Sequence, residues 1–277
     1  MKHSELKIVD TTRYVWLDWM KALAIYFIIV GHCWAPGSKY VYAFSVPVFY
    51  LISGFLSKKE LVKEEFWRKI FWNLVVPMVM FYVINTLFLF SLQYIRGEFC
   101  LSHLWENPLM AIVGNQGHGL SSGGIGNMWF VYTLILCKIV LQYLPSRNDI
   151  YAVVISVVCL CAAFLLRYYQ LEYYNSFVNI LLAWPFFALG NFLRQYKGTI
   201  SQMTNFENTF LLLIGVLLVT FSCKFNDIVL LYRCSYGGDL FLFGAGAVGG
   251  SFFLYGISRL LERFLMEQAS ILGGAHL

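Results

Sequence analysis

Charged residues are scarce in this chain. Asp, Glu, Lys and Arg make up 13% of its 277 residues, whereas an average soluble domain contains about 25%. Hydrophobic residues make up 59%, so a soluble globular domain is excluded. Lys and Arg outnumber Asp and Glu by 20 to 15, but they form no continuous basic stripe that follows a nucleic-acid backbone. Nucleic acid is therefore not an expected partner.

The sequence also lacks internal repeats, heptads and low-complexity tracts. We therefore expect residues 1–277 to form one integral membrane domain. The sequence also implies no metal site. Five of the seven cysteines lie in apolar stretches, where we expect them to be small packing residues rather than metal ligands. No metal is expected.

Eight apolar stretches approach the roughly 17–25 residues that a helix needs to cross a bilayer. They are residues 15–33, 40–57, 70–92, 127–144, 150–166, 176–193, 209–225 and 240–257. Residues 226–236 are too short to cross and predict a re-entrant or interfacial helix packed against protein. The predicted fold is all-α, a polytopic transmembrane helix bundle of about eight spans with one such short segment.

The distribution of basic residues predicts the orientation in the membrane. With the N-terminus inside, 14 of the 20 Lys and Arg residues fall on inner segments. The positive-inside rule then favours both termini in the cytoplasm.

Three ionisable residues interrupt the first span: Asp18, Lys21 and His32. At 100° per residue, Lys21 and His32 differ by about 20°, and Asp18 lies about 60° from Lys21 on the same side. Because ionisable residues within a span are costly and usually face a cavity, we predict that all three line one cavity, with Lys21 toward the inner leaflet and His32 about 16 Å away. The structural alternative is a neutralising Asp18–Lys21 pair and a histidine that caps the helix or bonds a carbonyl.

Two early segments carry a resemblance to a known family. WLDWMKALAIYFIIVGH (residues 16–32) and VPVFYLISGFL (residues 46–56) resemble the acyltransferase-3 family of integral membrane acyltransferases, including its sugar O-acetylase branch. In that family a basic residue precedes a first-helix histidine by ten intervening positions. Lys21 and His32 reproduce this spacing, with Lys in place of the commoner Arg, and Asp18 matches the preceding acidic position. The segment MWFVY (residues 128–132) is similar to a third motif of the family.

The resemblance implies a donor site at the cytoplasmic mouth. Family members often open the third helix with an R-x-x-R-type element, which is thought to meet the phosphates of acyl-CoA. Here Arg68 and Lys69 are present, but Asn73 stands where the second arginine is expected, before Pro77. We assign Arg68, Lys69 and Asn73 to binding of acetyl-CoA as donor substrate; ordinary anchoring by basic residues is the alternative for the first two.

The resemblance also implies the reaction, which is transfer of an acetyl or other short acyl group from acyl-CoA to a hydroxyl of a cell-surface carbohydrate or glycolipid. We expect this O-acetylation to occur at a bacterial inner membrane. A sugar hydroxyl needs a base, for which imidazole is suited, so His32 is predicted to be the general base or a transient acyl carrier. Lys21 is predicted to hold a donor phosphate or to pair with Asp18.

Three residues are assigned to the substrate pocket: Ser53, Asn127 and Trp129. Each has a structural alternative. Ser53, with Gly54, suits close helix packing; Asn127 suits a helix cap; and Trp129 suits an interfacial anchor.

Two other functional hypotheses stay open at this stage. Polar residues within a span and a Gly-rich loop are also typical of a small-solute or ion transporter, but two related halves with paired broken helices are missing. An inactive acyltransferase scaffold is the other hypothesis, because family members usually carry more spans. The terminal ILGGAHL (residues 271–277) stops where we expect another helix to begin, so the final helices of the family pattern are expected to be absent.

Overall fold

The computed structural model describes residues 14–33, 36–98, 100, 129–145, 149–169, 171, 178–231 and 235–274. Within these ranges the structure is helical and contains no β-strand. The helices are α1 (Val15–His32), α2 (Ser38–Tyr42), α3 (Ser45–Leu56), α4 (Lys63–Ile70), α5 (Val76–Arg96), α6 (Trp129–Tyr143), α7 (Asp149–Tyr168), α8 (Ile180–Leu193), α9 (Lys197–Ser201), α10 (Asn205–Phe225) and α11 (Leu240–Gly274). A π-helical turn, Phe71–Val75, joins α4 to α5.

Six segments of the described chain are long and apolar enough to cross a membrane. They are Val15–His32, Ser38–Leu56, Lys63–Arg96, Asp149–Tyr168, Asn205–Phe225 and Leu240–Glu267. The helices α6 and α8 coincide with the other two predicted spans but are shorter, at 15 and 14 residues. The predicted all-α polytopic bundle is confirmed.

Two predicted boundaries are wrong. The third predicted span, residues 70–92, is preceded by α4, so the continuous helical segment begins at Lys63. The last predicted span, residues 240–257, is part of α11, which continues to Gly274. Both extensions carry charged residues, as in KEEFWRKI (Lys63–Ile70). Hydropathy registers only the apolar part of a helix, whereas backbone hydrogen bonding continues through polar sequence.

Two helices present apolar side chains outward. In the most apolar 18-residue window of Lys63–Arg96 only 6% of the residues are buried, and in that of α7 only 11%. Water disfavours such large apolar surfaces, whereas the hydrocarbon core of a bilayer accommodates them. These surfaces fit an integral membrane protein.

The segment before α11 differs from the predicted helix. Its described residues form a loop in which Leu230 and Ser235 make an antiparallel bridge, with N···O distances of 2.9 and 3.2 Å. The Asn226 side chain donates to the Tyr236 carbonyl and accepts from the backbone N–H of Asp239. These bonds satisfy backbone groups of the described loop residues outside an α-helix. The packing against protein was predicted correctly, since Tyr236 is 2% exposed.

Glycines bring α3 and α8 into close contact. A Cβ added at Gly54 would lie 1.9 Å from the Phe187 carbonyl oxygen, and one added at Gly190 would lie 1.9 Å from that of Leu51. Only a residue without a side chain permits this approach. The packing role expected for Gly54 is confirmed, and the crossing fixes α3 relative to α8.

Contacts between helix termini define two ends of the bundle. At the first, which we call the histidine end, the Tyr42 hydroxyl donates to the Gly31 carbonyl at 2.8 Å. At the second, the lysine end, Lys59 donates to the Leu144 carbonyl and Asn191 donates to the Ser57 carbonyl. Since α3 begins at the first end and finishes at the second, the two ends are opposite faces of the bundle.

Polar contacts close the lysine end around the start of α1. The backbone N–H of Trp16 donates to Glu262 Oε1 at 3.3 Å, which satisfies a helix N-terminal donor that has no side-chain cap. Glu262 also pairs with Arg259, and these two side chains are only 7% and 11% exposed. Arg259 donates in turn to the Ser201 carbonyl at 2.8 Å. This buried network joins α1, α9 and α11.

Candidate active site

A cavity of about 220 Å³ opens at the histidine end. Its walls come from α1, α2, α3, α6 and the loop before α11; they include Ile28, His32, Tyr42, Ser45, Val46, Phe49, Tyr50, Trp129, Phe130 and Val229. Aromatic and aliphatic groups predominate, with a few polar groups among them. This composition is typical of small-molecule sites.

His32 lies in this cavity because α1 ends there. It is the last residue of the helix, and its side chain is exposed. The preceding Gly31 is buried against the Tyr42 ring, whose hydroxyl donates to the Gly31 carbonyl. The last turn of α1 is thus held against α2, which directs the imidazole to the cavity wall. Nearby Ser45 is 2% exposed and lines the same cavity.

Aromatic rings form the opposite side of the cavity. Trp129, assigned to the substrate pocket from sequence, lines it and is 8% exposed. The rings of Phe49 and Phe130 meet edge to face with centroids 5.8 Å apart. The Tyr50 hydroxyl donates to the Phe130 carbonyl at 3.4 Å and joins α3 to α6. The walls are therefore fixed by contacts between helices.

The structure pairs Lys21 with Asp18 but does not bring them into the cavity of His32. Lys21 Nζ lies 3.1 Å from Asp18 Oδ1, and the two side chains are 36% and 40% exposed. Neither residue lines the cavity that contains His32. Lys21 and His32 share a stripe along the continuous helix α1, beside the buried face formed by Trp16, Met20 and Ala24. The pairing is expected both from the structural alternative and from the predicted Lys21–Asp18 ion pair; a contact between Lys21 and a donor phosphate stays a prediction.

A second cavity, of about 320 Å³, lies at the lysine end. Polar lining residues come from the α3–α4 loop, the α4–α5 junction and α6; they are Ser57, Lys58, Glu60, Lys69, Asn73, Lys138 and Gln142. Lys69 and Asn73 are two of the three predicted donor residues. Arg68, the third, has an exposed side chain and does not line this cavity.

Lys69 is already engaged by two carboxylates. Its Nζ lies 2.8 Å from Glu60 Oε1 and 2.9 Å from Glu65 Oε1. The positive charge predicted for the donor site is therefore largely balanced at this position.

Asn73 lies in the π-helical turn. In a regular α-helix its carbonyl would accept from the residue four positions later, which is Pro77 and has no N–H. The wider hydrogen-bonding pattern of Phe71–Val75 accommodates this missing donor. Pro77 thus accounts for the π-helical turn that contains Asn73, a residue of the cavity wall.

The loop between α3 and α4 is clamped to the end of α6. The Gln142 side chain bonds both backbone groups of Glu60, each at 2.9 Å. Lys59 donates to the Leu144 carbonyl, and partial burial lowers the pKa of Lys59. This wall of the cavity is preformed.

Sequence reasoning missed Lys138 and Gln142. They are four residues apart and therefore on the same face of α6. Lys138 is the only charged residue in Trp129–Tyr143. A lysine within an apolar helix is itself a signal of function, and this signal could have identified Lys138.

The other two residues predicted for the pocket are Ser53 and Asn127. Ser53 is half-buried, its carbonyl accepts from Ser57 Oγ at 2.7 Å, and it lines neither cavity. Asn127 lies outside the described residues.

Comparison with known proteins gives one family match. The model of the acyltransferase-3 family, described as an acyltransferase domain, matches residues 14–206, which is more than half of the chain. This range holds α1 to α9, and so it includes every helix that lines the two cavities. No curated protein and no solved structure gives a significant match. The family match confirms the resemblance found in the sequence.

Proposed function

Because this chain belongs to the acyltransferase-3 family, we propose that it is a membrane O-acyltransferase that moves an acetyl or other short acyl group from acyl-CoA to a hydroxyl of a cell-surface carbohydrate. The observation that carries the proposal is the position of His32. The residue that matches the family's first-helix histidine lies in an aromatic cavity at the end of the bundle opposite the lysine-rich cavity.

The lysine end faces the cytoplasm in this proposal. Many of the described basic residues lie there: Lys58, Lys59, Lys63, Arg68, Lys69, Lys138, Arg194, Lys197, Arg259 and Arg263. Such an excess is typical of the cytoplasmic side. Both termini are then cytoplasmic, the donor arrives at the lysine end, and the acceptor arrives at the histidine end on the other side of an inner membrane.

His32 acts as the general base. Its imidazole takes the proton of the acceptor hydroxyl while that oxygen attacks the thioester carbonyl. A C–O bond forms, the C–S bond breaks, and the proton passes to the departing thiolate. In the alternative route the imidazole carries the acyl group between donor and acceptor.

The two cavities set a distance that the donor must cover. They lie at opposite ends of α3, whose 12 residues span about 18 Å at 1.5 Å per residue. The nucleotide of the donor remains at the lysine end, and its thioester arm extends between the helices toward His32. The aromatic rings at Phe49, Trp129 and Phe130 form the wall against which an acceptor ring packs.

Acetyl transfer in cells tests the proposal. Cells that express the wild type or His32→Ala receive labelled acetyl-CoA after permeabilisation, and label in the envelope glycans is counted. We expect a loss of about 10²–10⁴-fold for His32→Ala, the contribution typical of a general base. Ile29→Ala is the matched control, because Ile29 lies on the same helix, is 56% exposed and does not line the cavity.

The outcomes separate the hypotheses. Equal labelling by the wild type and His32→Ala would remove His32 from the chemistry. No labelling by either, with both proteins present in the membrane, would favour a transporter or an inactive scaffold.

A further inference from the structure

The ammonium group of Lys138 lies in the lysine-end cavity, where Glu60 attracts it from beyond salt-bridge distance. Its Nζ donates to Ser57 Oγ at 2.8 Å. Among the described residues no Asp or Glu oxygen lies within salt-bridge distance of it. An ammonium group has three N–H donors, so two remain for a ligand.

The hydroxyl that receives Lys138 is itself fixed. Ser57 Oγ donates to the Ser53 carbonyl at 2.7 Å, and the Ser57 carbonyl accepts from Asn191 at 2.7 Å and from Arg194 at 2.9 Å. A lysine that only anchors a helix extends its ammonium group into solvent or headgroups. Lys138 is instead half-buried and directed at a fixed acceptor inside the bundle.

The cavity carries excess positive charge. The ionisable residues that line it are three lysines, at 58, 69 and 138, and one glutamate, Glu60. Glu60 is paired with Lys69, which also pairs with Glu65. The charge left for a ligand is therefore that of Lys138 and Lys58, and Lys138 is the more buried of the two.

We propose that the Lys138 ammonium, rather than the residues of the family motif, is the main ligand of a phosphate group bound in this cavity. A phosphate matches the charge and accepts hydrogen bonds from both remaining N–H groups. The volume of about 320 Å³ lies at the lower end of the roughly 300–1,000 Å³ of ligand pockets. The clamped loop means that binding requires little ordering of the protein.

This inference rests on the proposed function where it assigns the phosphate to the nucleotide of a CoA-type donor. The headgroup of an anionic lipid offers the same chemistry from another source. The experiment therefore measures both.

Binding to purified protein in phosphatidylcholine nanodiscs tests the nucleotide, with coenzyme A as the probe. We expect Lys138→Met to weaken binding about tenfold or more, because a charge-assisted hydrogen bond is lost. Lys63→Met is the matched control, since Lys63 lies at the same end, is exposed and does not line the cavity; its affinity should stay at the wild-type value. Nanodiscs that contain phosphatidylglycerol test whether the site binds a lipid phosphate. The amount of this lipid that each variant retains is measured by mass spectrometry.

A second variant changes the affinity in the opposite direction. Glu60→Gln removes the one carboxylate that lines the cavity and releases Lys69 from a partner, while the backbone bonds of Glu60 to Gln142 remain. We expect tighter binding of the phosphate probe. This variant tests the site even where Lys138→Met does not fold.

Each result has a defined meaning. Loss of coenzyme A binding in Lys138→Met supports a donor phosphate site, whatever the acceptor. Lys138-dependent retention of phosphatidylglycerol, with no coenzyme A bound by the wild type, supports a lipid phosphate site and contradicts the donor in the proposed function. Wild-type affinity of Lys138→Met for both probes, or unchanged affinity of Glu60→Gln, overturns the inference. His32→Ala should bind coenzyme A normally, so failure of the chemistry at His32 can be distinguished from failure of the phosphate site at Lys138.

Discussion

Gly190 tests the close crossing of α3 and α8, because an alanine there has no room. The added Cβ would lie 1.9 Å from the Leu51 carbonyl oxygen, whereas ordinary contact begins at 3.4 Å, so the helices must separate by about 1.5 Å. Overpacking costs about 1–3 kcal/mol where side chains can shift. Here the obstructing atom belongs to the backbone of a helix, so we expect Gly190→Ala to lower the free energy of unfolding by about 3 kcal/mol.

The assay is unfolding of the purified protein in mixed detergent micelles, followed by circular dichroism. Gly244→Ala is the control, since a Cβ at Gly244 on α11 meets nothing within 4 Å. Alanine is the better helix former by about 1 kcal/mol, so this control should keep or gain stability. If Gly190→Ala proves as stable as Gly244→Ala, the helices do not cross as closely as described.

Two further predictions concern the buried network and the aromatic wall. Glu262→Ala leaves Arg259 buried without its carboxylate, so we expect it to lower the free energy of unfolding by about 3–5 kcal/mol. The double variant Glu262→Ala/Arg259→Met should recover part of this loss, because the unpaired charge is gone. If the losses of the two single variants simply add in the double variant, the pairing is contradicted. Trp129→Ala should raise the KM for the acceptor about tenfold, because it removes an aromatic contact worth about 1.4 kcal/mol. Binding of coenzyme A should not change. Trp67→Ala is the control, because the Trp67 ring is exposed and lines neither cavity; the KM for the acceptor and coenzyme A binding should stay unchanged. An equal rise in KM for Trp129→Ala and Trp67→Ala would argue against the acceptor site.

Hydropathy predicted the helices because segments that contact lipid have apolar side chains. It did not predict the ends of helices that continue from lipid into a polar environment. Lys63–Ile70 and the end of α11 are polar, so they do not register as parts of spans. The segment before α11 is apolar, but its backbone is satisfied by Asn226 and the Leu230–Ser235 bridge rather than by helical bonds.

The candidate site was predictable where a residue matches a motif on a wall of a cavity. His32, Trp129 and Lys69 are such residues, and Asn73 lines the lysine-end cavity although it departs from the motif. A helical wheel placed Lys21 on the stripe of His32 correctly, but it does not determine what faces that stripe, and Lys21 lies outside the cavity. Lys138 was missed because its proposed role depends on a contact with Ser57, which is 81 residues away in sequence.

The short helix α3 supplies a wall to both cavities, with Ser45 and Val46 at its start and Leu56 at its end. Its register is fixed at the Gly54 crossing with α8. A helix held in this way moves as a rigid rod, so a displacement at one terminus is transmitted to the other. We therefore expect a ligand that shifts α3 at one end of the bundle to alter the affinity for a ligand at the opposite end, and thermodynamic linkage makes this effect equal in both directions.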